Sequence, residues 1–547
     1  MYGSPDFINS WSYLSSIGST LTLFNFILFI SKFILISPFI SIFINPYFYY
    51  YFIISSYSLL SFIINNIFHL FNNFNRVYFI FSIPFYSLIY NLLILPDLYF
   101  HYLFNCNHKF LGLIYFILSS IFFITSFSFS FYFRSELFIF YFYNFSFTIH
   151  GLFMIFFIIM PGLYGGFGNY FIILYSGLSE IIFPRINNYS LFLLFSSFSI
   201  IFKCVILEYS LGIGWTFYPP LSILSTIIIS LILESLLFSG LSSELSSFNY
   251  FSLLILHYIL NLFSHSIIIT AFILIFTLPI LTALILLLFS DLYFDSIYFI
   301  IHGDPILFQH LFWYFGHPEV YILIIPAFGI ISLIISVLSL KIIFGREVMI
   351  LAIISISIFG SIVWGHHIYT ISLEIENKIY YSNSSFIISL PTGTKIYNWI
   401  SIYLGNYIYI IFLSLSFGII FIIIFTFGGI TGIILGNDIL DLTLHDSYYI
   451  LAHFHFILSL GAIISIISGL LFLKEFSYFR FYIFKINKVY FIFIFISINL
   501  IFSPLYFIGF NFIPRRIFEF PDFINSWSYL SSISRFNLYI DFYFHCP

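Results

Sequence analysis

The stretch Leu444-His-Asp-Ser-Tyr-Tyr-Ile-Leu-Ala-His-Phe-His-Phe456 carries the strongest structural signal in the chain, at the head of a run that stays apolar to Phe472. His453 and His455 stand two residues apart, and successive helical residues turn by about 100°, so the two side chains point nearly opposite ways. The pair cannot hold one metal ion between them, but each can reach a separate bound group. A lone membrane histidine is often only a hydrogen-bonding partner within a bundle. Two histidines that face apart beside an Asp favour the ligand role.

The composition is that of an integral membrane protein. Charged residues make up 7% and hydrophobic residues 61% of the 547-residue chain, whereas soluble domains carry about 25% charged residues. Repeated apolar runs of about 20 residues predict membrane helices, because barrel strands are shorter and alternate. The net charge of −4 is too diffuse to indicate nucleic-acid binding. Cys106, Cys204 and Cys546 form no CxxC pair, so neither a disulfide framework nor a thiolate copper site is expected.

From residue 109 the apolar runs predict eleven spans with short connections. Their bounds are 110–133, 143–172, 190–210, 221–241, 252–289, 311–338, 348–373, 380–404, 409–433, 447–472 and 485–510. We call the side where the first of these spans begins side N, and the other side P. Six histidines then fall near the P ends of their spans: His150, His317, His366, His367, His453 and His455. At about 1.5 Å per residue they share a depth of about 10 Å, which predicts one layer of metal chemistry.

A second cluster combines imidazoles with a tyrosine. Gly316-His-Pro-Glu-Val-Tyr321 places His317 and Tyr321 four residues apart, on one helix face. Trp364-Gly-His-His367 adds two adjacent imidazoles on the next span. Three imidazoles without carboxylate or thiolate suit copper or zinc, with a position open for a small ligand. A tyrosine there can donate a proton or an electron, although one tyrosine among 44 can equally be a packing residue.

Glu319 and Lys395 lie deep within apolar runs. A charge at the bilayer centre costs about 2.5–3.5 kcal/mol on insertion scales, so such groups indicate an ion or proton route. Lys395 belongs to Pro391-Thr-Gly-Thr-Lys395, where Thr392 can host water. The alternative for Lys395 is that it snorkels to the membrane interface.

Charged groups also gather on side P. Arg515 and Arg516 follow the eleventh span, where two arginines indicate a buried anion such as the carboxylates of a cofactor. His445 and Asp446 precede the tenth span and can hold a hard cation nearby. An Asp before a helix is also a routine cap, so the two interpretations of Asp446 stay open.

Several longer motifs match a known family. They are Phe-Thr-Ile-His-Gly (147–151), Gly-Gly-Phe-Gly-Asn (165–169), Phe-Pro-Arg-Ile-Asn-Asn (183–188), Gly-Trp-Thr-Phe-Tyr-Pro-Pro (214–220) and Gly-Asp-Pro-Ile-Leu-Phe-Gln-His-Leu-Phe-Trp (303–313). With the histidine motifs, they make about residues 105–533 resemble the haem–copper oxidase superfamily, and within it the subunit I family of mitochondrial cytochrome c oxidases. The segments 105–109 and 391–395 are similar to apicomplexan and related alveolate versions.

The resemblance implies an all-α polytopic membrane protein with a twelve-helix bundle that binds haem a, haem a3, copper (CuB) and magnesium. His150 and His455 would be the axial ligands of haem a. His453 would be the single protein ligand of haem a3, so that the other face of that haem is open to oxygen. The implied copper ligands are His317, His366 and His367.

The resemblance also implies roles for the ionisable groups. Glu319 would relay protons at the end of one path, and Thr392 and Lys395 would line another. Tyr321 would be tied covalently to His317. The magnesium ligands would be His445 and Asp446, together with subunit II. The residues expected to meet haem substituents are Arg134, at the formyl group of haem a, and Trp215, Arg515 and Arg516, at the propionates.

Two features depart from the family pattern. The family usually has an Asp five residues before the Arg of its Phe-Pro-Arg motif, at the mouth of a proton path, and this chain has Glu180. A longer carboxylate can still collect protons through an altered entrance. The family also ends with a twelfth membrane helix, whereas the residues after Ile533 are too few and too polar to span a bilayer.

The amino-terminal region offers a replacement for the twelfth helix. Residues 5–17 recur identically at 521–533, and the apolar residues 18–36 read like the final span of the family. We predict that 18–36 fills the twelfth position and that 38–64 and 77–95 add about two extra spans; the alternative is a peripheral extension. The predicted divisions are an extension (1–108), a catalytic bundle (109–533) and a short tail (534–547).

The implied function is that of the catalytic subunit of a proton-pumping terminal oxidase, multi-pass in the mitochondrial inner membrane, which reduces oxygen to water. Electrons are expected from cytochrome c through a copper centre (CuA) on subunit II, since this chain lacks thiolates for one. Subunit III, accessory subunits and membrane lipid are further expected partners; nucleic acid is not.

Three alternatives remain open. A quinol oxidase can share every ligand named above. A nitric oxide reductase is less expected, because that branch lacks the His317–Tyr321 and Glu319 arrangement. A transporter that uses the histidines as a proton relay would bind neither haem nor copper in stoichiometric amounts.

Overall fold

The computed structural model describes most of the chain after residue 105, and all described residues belong to one compact unit, Asn105–Asp541. The described ranges are 106–135, 140–207, 212–224, 227–256, 260–294, 296–299, 303–371, 373–404, 412–478, 484–517, 520–524 and 526–534. The stretches 18–36, 38–64 and 77–95 lie outside them, as does the tail after residue 534. The division of the chain and the docking of 18–36 therefore stay predictions.

Helices make up nearly all of the described chain. The α-helices are α1 (His108–Ser135), α2 (Phe140–Leu152), α3 (Gly168–Ser176), α4 (Pro184–Leu207), α5 (Ile227–Leu256), α6 (Leu262–Tyr293), α7 (Pro305–Leu338), α8 (Arg346–Gly360), α9 (Ile375–Ile387), α10 (Ser389–Tyr403), α11 (Leu413–Gly436), α12 (Asp438–Leu444), α13 (Tyr448–Phe454), α14 (Ile463–Tyr478) and α15 (Phe484–Phe510). π-Helical segments, Phe153–Phe167 and His455–Ala462, join α2 to α3 and α13 to α14. Short 3-10 turns cover Leu221–Ile223, Trp364–Ile368 and Asp522–Ile524.

Ten helices among the described residues are long and apolar enough to cross a membrane. They correspond to the first seven and last three predicted spans. The eighth, predicted at 380–404, is built from two consecutive helices, α9 and α10, which meet at Ile388. The described residues contain no β-strand beyond an isolated antiparallel bridge between Ser447 and Pro514. The all-α polytopic membrane fold is therefore confirmed.

The predicted border between the fourth and fifth spans was wrong. The fifth span was expected to begin at 252, whereas α5 continues to Leu256 and α6 begins at Leu262. Residues 252–260 are mostly apolar, so hydropathy does not mark the break. Asn261 marks it, because its side chain accepts a hydrogen bond from the backbone N–H of Ser264 at 2.7 Å and caps α6.

Helix α7 lies at the centre of the bundle, where it contacts α6, α8, α10, α11 and α14. Small residues bring other helices close together. A Cβ added to Gly165 would lie 2.6 Å from the ring of Tyr115, and one added to Gly166 would lie 2.5 Å from the ring of Phe116. Close backbone approach at small residues is how membrane helices pack in the absence of a hydrophobic drive between them.

Replacing Gly509 by Ala is expected to push α15 away from α13. A Cβ there would lie against the backbone nitrogen of Tyr449 and 2.5 Å from its Cα, and backbone atoms cannot rotate aside. We expect a loss of about 1–3 kcal/mol of stability, measured as a lower thermal unfolding temperature of the purified complex. Gly429→Ala is the control, since nothing lies within 4 Å of that Cβ position. Equal losses in both variants would contradict the packing argument.

Candidate functional site

Three imidazoles meet where α7 faces the Trp364–Ile368 turn. His317 Nδ1 lies 3.1 Å from His367 Nε2, and His366 Nε2 lies 3.2 Å from the same atom. One potential ligand atom from each histidine falls within 4.8 Å of the others. Within the described ranges, this cluster is the one group of at least three His, Cys, Asp or Glu side chains that lie close enough together to hold a metal ion. An all-imidazole donor set suits copper or zinc.

Local sequence explains how the three rings converge. Helix α7 starts at Asp304, whose side chain accepts the N–H groups of Ile306 and Leu307 at 3.0 and 3.1 Å. The tight turn that carries the other two histidines packs on α9. Its Gly365 has no side chain because the ring of Tyr381 occupies that space, with Cδ2 only 2.5 Å from the position of a Cβ.

Two neighbours that the sequence did not reveal orient these rings. Ser385 Oγ of α9 lies 3.0 Å from His366 Nδ1. Trp313 stacks on His367 with 3.8 Å between ring centroids and an interplanar angle of 10°. Such outer-shell contacts fix the orientation of metal-binding histidines. Trp313 precedes His317 by four residues, so helical spacing could have identified it; Ser385 carries no comparable signal.

Tyr321 lies beside the three-histidine cluster, as its spacing predicted. Its ring centroid is 4.8 Å from that of His317, at an interplanar angle of 65°. Tyr321 also packs closely against α8, since a Cβ on Gly360 would lie 2.6 Å from Tyr321 Cδ2. The phenol is thus held against the imidazole cluster by α8.

His453 and His455 contact different helices. His453 Nδ1 lies 3.0 Å from the carbonyl oxygen of Gly428 and 3.0 Å from Thr431 Oγ1, both on α11. His455 stacks on Phe502 of α15 at 4.9 Å, and the helix changes from α to π at this residue. The two rings face apart, in agreement with the spacing argument.

Three candidate ligands share one hydrogen-bond pattern. Nδ1 of His150, His453 and His455 lies 2.9, 3.0 and 2.7 Å from the carbonyl oxygens of Ser126, Gly428 and Leu451, in that order. A carbonyl only accepts, so each Nδ1 carries the proton and each Nε2 has the lone pair that binds metal. This donor set fits iron in a haem.

The loop after α15 closes over the segment that precedes α13. The backbone N–H of Arg515 donates to the carbonyl of Asp446 at 2.8 Å, and its guanidinium pairs with the Asp446 carboxylate at 2.5 Å. Asp446 and Arg516 have φ of +53° and +64°, in the left-handed region that non-glycine residues rarely occupy. The guanidinium of Arg516 lies 5.6 Å from the ring of Phe147. The predicted cation and anion residues are thus brought together.

Charge pairing sets the protonation of this loop, which lies between two spans. Burial alone would lower the pKa of His445, but the hydrogen bond to Asp441 at 3.2 Å and the charges of Asp441 and Asp446 raise it. Burial raises the pKa of Asp441 despite that bond. Partial burial would raise the pKa of Asp446, but Arg515 and His445 hold it below the usual range. Asp441 was not predicted; its i, i+4 relation to His445 could have revealed it.

Trp215 and Arg134 were also predicted to meet haem substituents, and the structure describes the side chain of Trp215. Trp215 packs against Phe312 and Trp313 with centroid separations of 5.4 and 5.9 Å. A Cβ on Gly151, beside His150, would lie 3.3 Å from Trp215 Cβ. Trp215 thus links the surroundings of His150 and His367. The side chain of Arg134 lies outside the described part of the structure.

Glu319 and Lys395 are both deeply buried. Glu319 is 1% exposed, and neither carboxylate oxygen has a hydrogen-bond partner among the described residues. Lys395 is fully buried, and its Nζ has no hydrogen-bond partner in the described part of the chain. This Nζ lies 4.9 Å from the centroid of Phe328 and 5.2 Å from that of Trp399. Its position excludes snorkelling. Thr392 Oγ1 donates to Ser389 and Ile388 carbonyls of its own helix at 2.9 and 3.1 Å.

Glu180 lies beside the start of α1. Its carboxylate is 3.1 Å from His108 Nδ1, and its side chain is 40% exposed. Tyr115, on the same helix as His108, belongs to a group of hydroxyls, here called the hydroxyl track, that the sequence did not reveal. Its centre is Ser190, whose Oγ lies 3.1 Å from both the Tyr115 hydroxyl and Ser246 Oγ. A cavity of about 20 Å³ adjoins them, lined in part by Tyr115 and Ser246, which is room for one water. Serines are too common in this chain to have marked the track.

The fold and the histidine arrangement define a haem–copper terminal oxidase. The family model "Cytochrome C and Quinol oxidase polypeptide I" matches residues 110–542. Cytochrome c oxidase subunit 1 of Plasmodium berghei and that of Plasmodium chabaudi are each 44% identical over 455 residues, and the Plasmodium falciparum protein is 44% identical over 454. Each match covers 78% of this chain and 95% of the relative.

Solved structures agree on the fold. A cryo-EM structure of a heme-copper terminal oxidase dimer matches with a TM-score of 0.67 at 17% identity, covering 80% of this chain and 82% of that one. The chain belongs to the cytochrome c and quinol oxidase polypeptide I family. The resemblance to apicomplexan members is thereby confirmed.

Ser385→Ala is expected to weaken copper binding, because His366 loses the hydroxyl that orients its ring. Removing such a partner costs about 10–100-fold in metal affinity. The readout is the copper-to-iron ratio of the purified complex after mild chelation, which should fall while haem content stays constant. Ser384→Ala is the matched control, since among the described residues Ser384 Oγ bonds only to the Tyr381 carbonyl of its own helix, at 3.1 Å. An unchanged ratio in the Ser385 variant would refute this role.

Proposed function

We propose that this chain reduces oxygen to water as the catalytic subunit of a cytochrome c oxidase. The observation that carries the proposal is the three-imidazole cluster of His317, His366 and His367, with Tyr321 packed against it. Family membership and the three Plasmodium relatives, each a cytochrome c oxidase subunit 1, support an oxidoreductase of respiratory electron transport with haem and copper. No observation on the described residues favours quinol as the donor or a histidine-relay transporter.

The donor atoms suggest which residues hold each cofactor. His150 and His455 would hold haem a, and His453 would hold haem a3. The copper ligands would be His317, His366 and His367. When bound, these groups accept electrons, hold oxygen and supply the electrons for its reduction. The chain contributes ring orientation, through the carbonyl bonds at Nδ1, and a dry surrounding that limits proton leakage.

The loop of Arg515 and Asp446 would neutralise charge on side P. Within the described ranges, Arg515 Nε is buried without a hydrogen-bond partner, and a carboxylate of a haem would satisfy it. Arg516 and Trp215 would lie at the same propionates, and Arg134 at the formyl group of haem a. His445 and Asp446 would bind magnesium with a ligand from subunit II.

Buried groups without partners would move the protons. Glu319 can hold a proton on its way to the oxygen site, supplied from Glu180 along the hydroxyl track around Ser190. Lys395 with Thr392 would line a second path from side N. Such ionisable groups inside a membrane bundle mark proton routes by default.

The chain would work within a larger complex in the mitochondrial inner membrane. We expect subunit II with its copper centre (CuA), subunit III and accessory subunits as partners. We expect cytochrome c as the electron source. An assay of the purified complex with reduced cytochrome c and with a quinol separates the two donors. Oxidation of quinol but not of cytochrome c would overturn the assignment.

Glu319→Gln is expected to lower the rate of oxygen reduction at least tenfold, because the amide cannot release a proton at this buried point. Haem content should stay at the parental level, since the substitution preserves shape. The rate is measured as oxygen consumption with excess reduced cytochrome c. Glu347→Gln, at a side chain 79% exposed at the start of α8, is the matched control and should change nothing. Parental turnover in the Glu319 variant would exclude it as a relay.

Lys395→Met should slow reduction of the oxygen site more than later steps, because electrons cannot accumulate there without compensating protons. Stopped-flow spectra after mixing with dithionite follow this reduction. Lys378→Met on α9 is the control, since Lys378 is half-exposed. A slow phase of the same size in both variants would show that the lysine path has no role in this step.

A further inference from the structure

Two glutamates on α5 stand apart from the other charged groups of the spans. Most charged side chains of the described spans lie close to span ends. Glu319 and Lys395 lie deeper, but both are buried within the bundle. Glu234 and Glu244 are the exceptions: in the span Ile228–Leu253, Glu234 comes six residues after the start and Glu244 nine before the end. Glu244 therefore lies about 13 Å, at 1.5 Å per residue, from the nearer end of its span.

Glu244 points away from the bundle interior. Leu241 and Phe248, at i−3 and i+4 on the same helix face, are 43% and 50% exposed. Ser242 and Ser246, two residues away on either side, are buried toward the hydroxyl track. Glu244 itself is half-exposed.

Glu244 has no cation within salt-bridge distance among the described residues. Glu234 differs in depth, because its exposed side chain lies six residues, or about 9 Å at 1.5 Å per residue, from the start of the span. Other outward faces are apolar, as lipid contact requires: on α11 the exposed residues include Ile423, Phe427 and Ile430. A carboxylate facing lipid chains at mid-membrane is unfavourable, so this face needs a different neighbour.

We propose that a transmembrane helix of another subunit of the complex docks on Leu241, Glu244 and Phe248 of α5 and Phe272 of α6, and that it presents a lysine or arginine to Glu244. Phe272, 43% exposed, extends the surface beside α5 through Phe251, at a centroid separation of 6.1 Å. A lipid headgroup or a soluble protein cannot supply a cation at this depth. The occupant is therefore membrane-embedded. The proposal needs only that the chain works in a multi-subunit assembly, and does not depend on the assigned chemistry.

Carbodiimide labelling of the intact purified complex tests the proposal without a variant. Dicyclohexylcarbodiimide reaches carboxyl groups in apolar surroundings and joins an activated carboxyl to an adjacent lysine. Mass spectrometry should find either a Glu244 isopeptide bond to a transmembrane lysine of another subunit, or protection of Glu244 that disappears after the small subunits are stripped by detergent. Equal N-acylurea labelling before and after stripping would mean lipid contact and overturn the proposal. So would absence of labelling in both states, which would mean that Glu244 is enclosed by this chain.

A charge-removing variant tests the same contact. In Glu244→Gln, we expect a transmembrane subunit to dissociate at a detergent concentration at least twofold lower than in the parent complex. Glu234→Gln is the matched control on the same helix, and its subunit retention should equal that of the parent. Retention in both variants at the parental level would contradict the pairing.

Discussion

An imidazole inside an apolar helix bundle must satisfy its N–H, and this requirement orients the candidate ligands of the site. His150, His453 and His455 each give Nδ1–H to a backbone carbonyl, on three different helices. His366 lies beside a serine hydroxyl instead. An unsatisfied buried polar group costs about 1–3 kcal/mol, so these bonds hold the rings in place before any metal arrives. The direction of each Nε2 follows from the partner of Nδ1.

Other buried polar atoms of the site lack a hydrogen-bond partner within the described residues. His317 Nε2, both oxygens of Glu319 and Nζ of Lys395 are buried and have no hydrogen-bond partner among the described residues. In a structural core such groups are rare, because they cost stability and contribute nothing. In the proposed function these atoms would be sites for ligands, water and protons. At these atoms, a cost in stability would accompany the binding of a ligand or a proton.

Spacing along one helix was readable from sequence, and contacts between helices were not. The i, i+4 stacking of His317 and Tyr321 and the opposed directions of His453 and His455 follow from helical geometry alone. Ser385 and the hydroxyl track around Ser190 depend on which helices become neighbours, which no local pattern encodes. The break before α6 was missed because a single capping Asn261 sets it within an apolar stretch. The family resemblance implied roles for the site residues, but their contacts are visible only in the three-dimensional structure.

We propose above that His453 and His455, which face apart on one helix, would hold two different haems, and that His453 would be the single protein ligand of its haem. Carbon monoxide binds only to ferrous haem with an open position, so an optical spectrum of the fully reduced complex before and after carbon monoxide tests the claim directly. The account predicts that half of the haem changes its spectrum, namely the haem on His453, while the haem between His150 and His455 is unaffected. A shift of all of the haem, or of none, would contradict it.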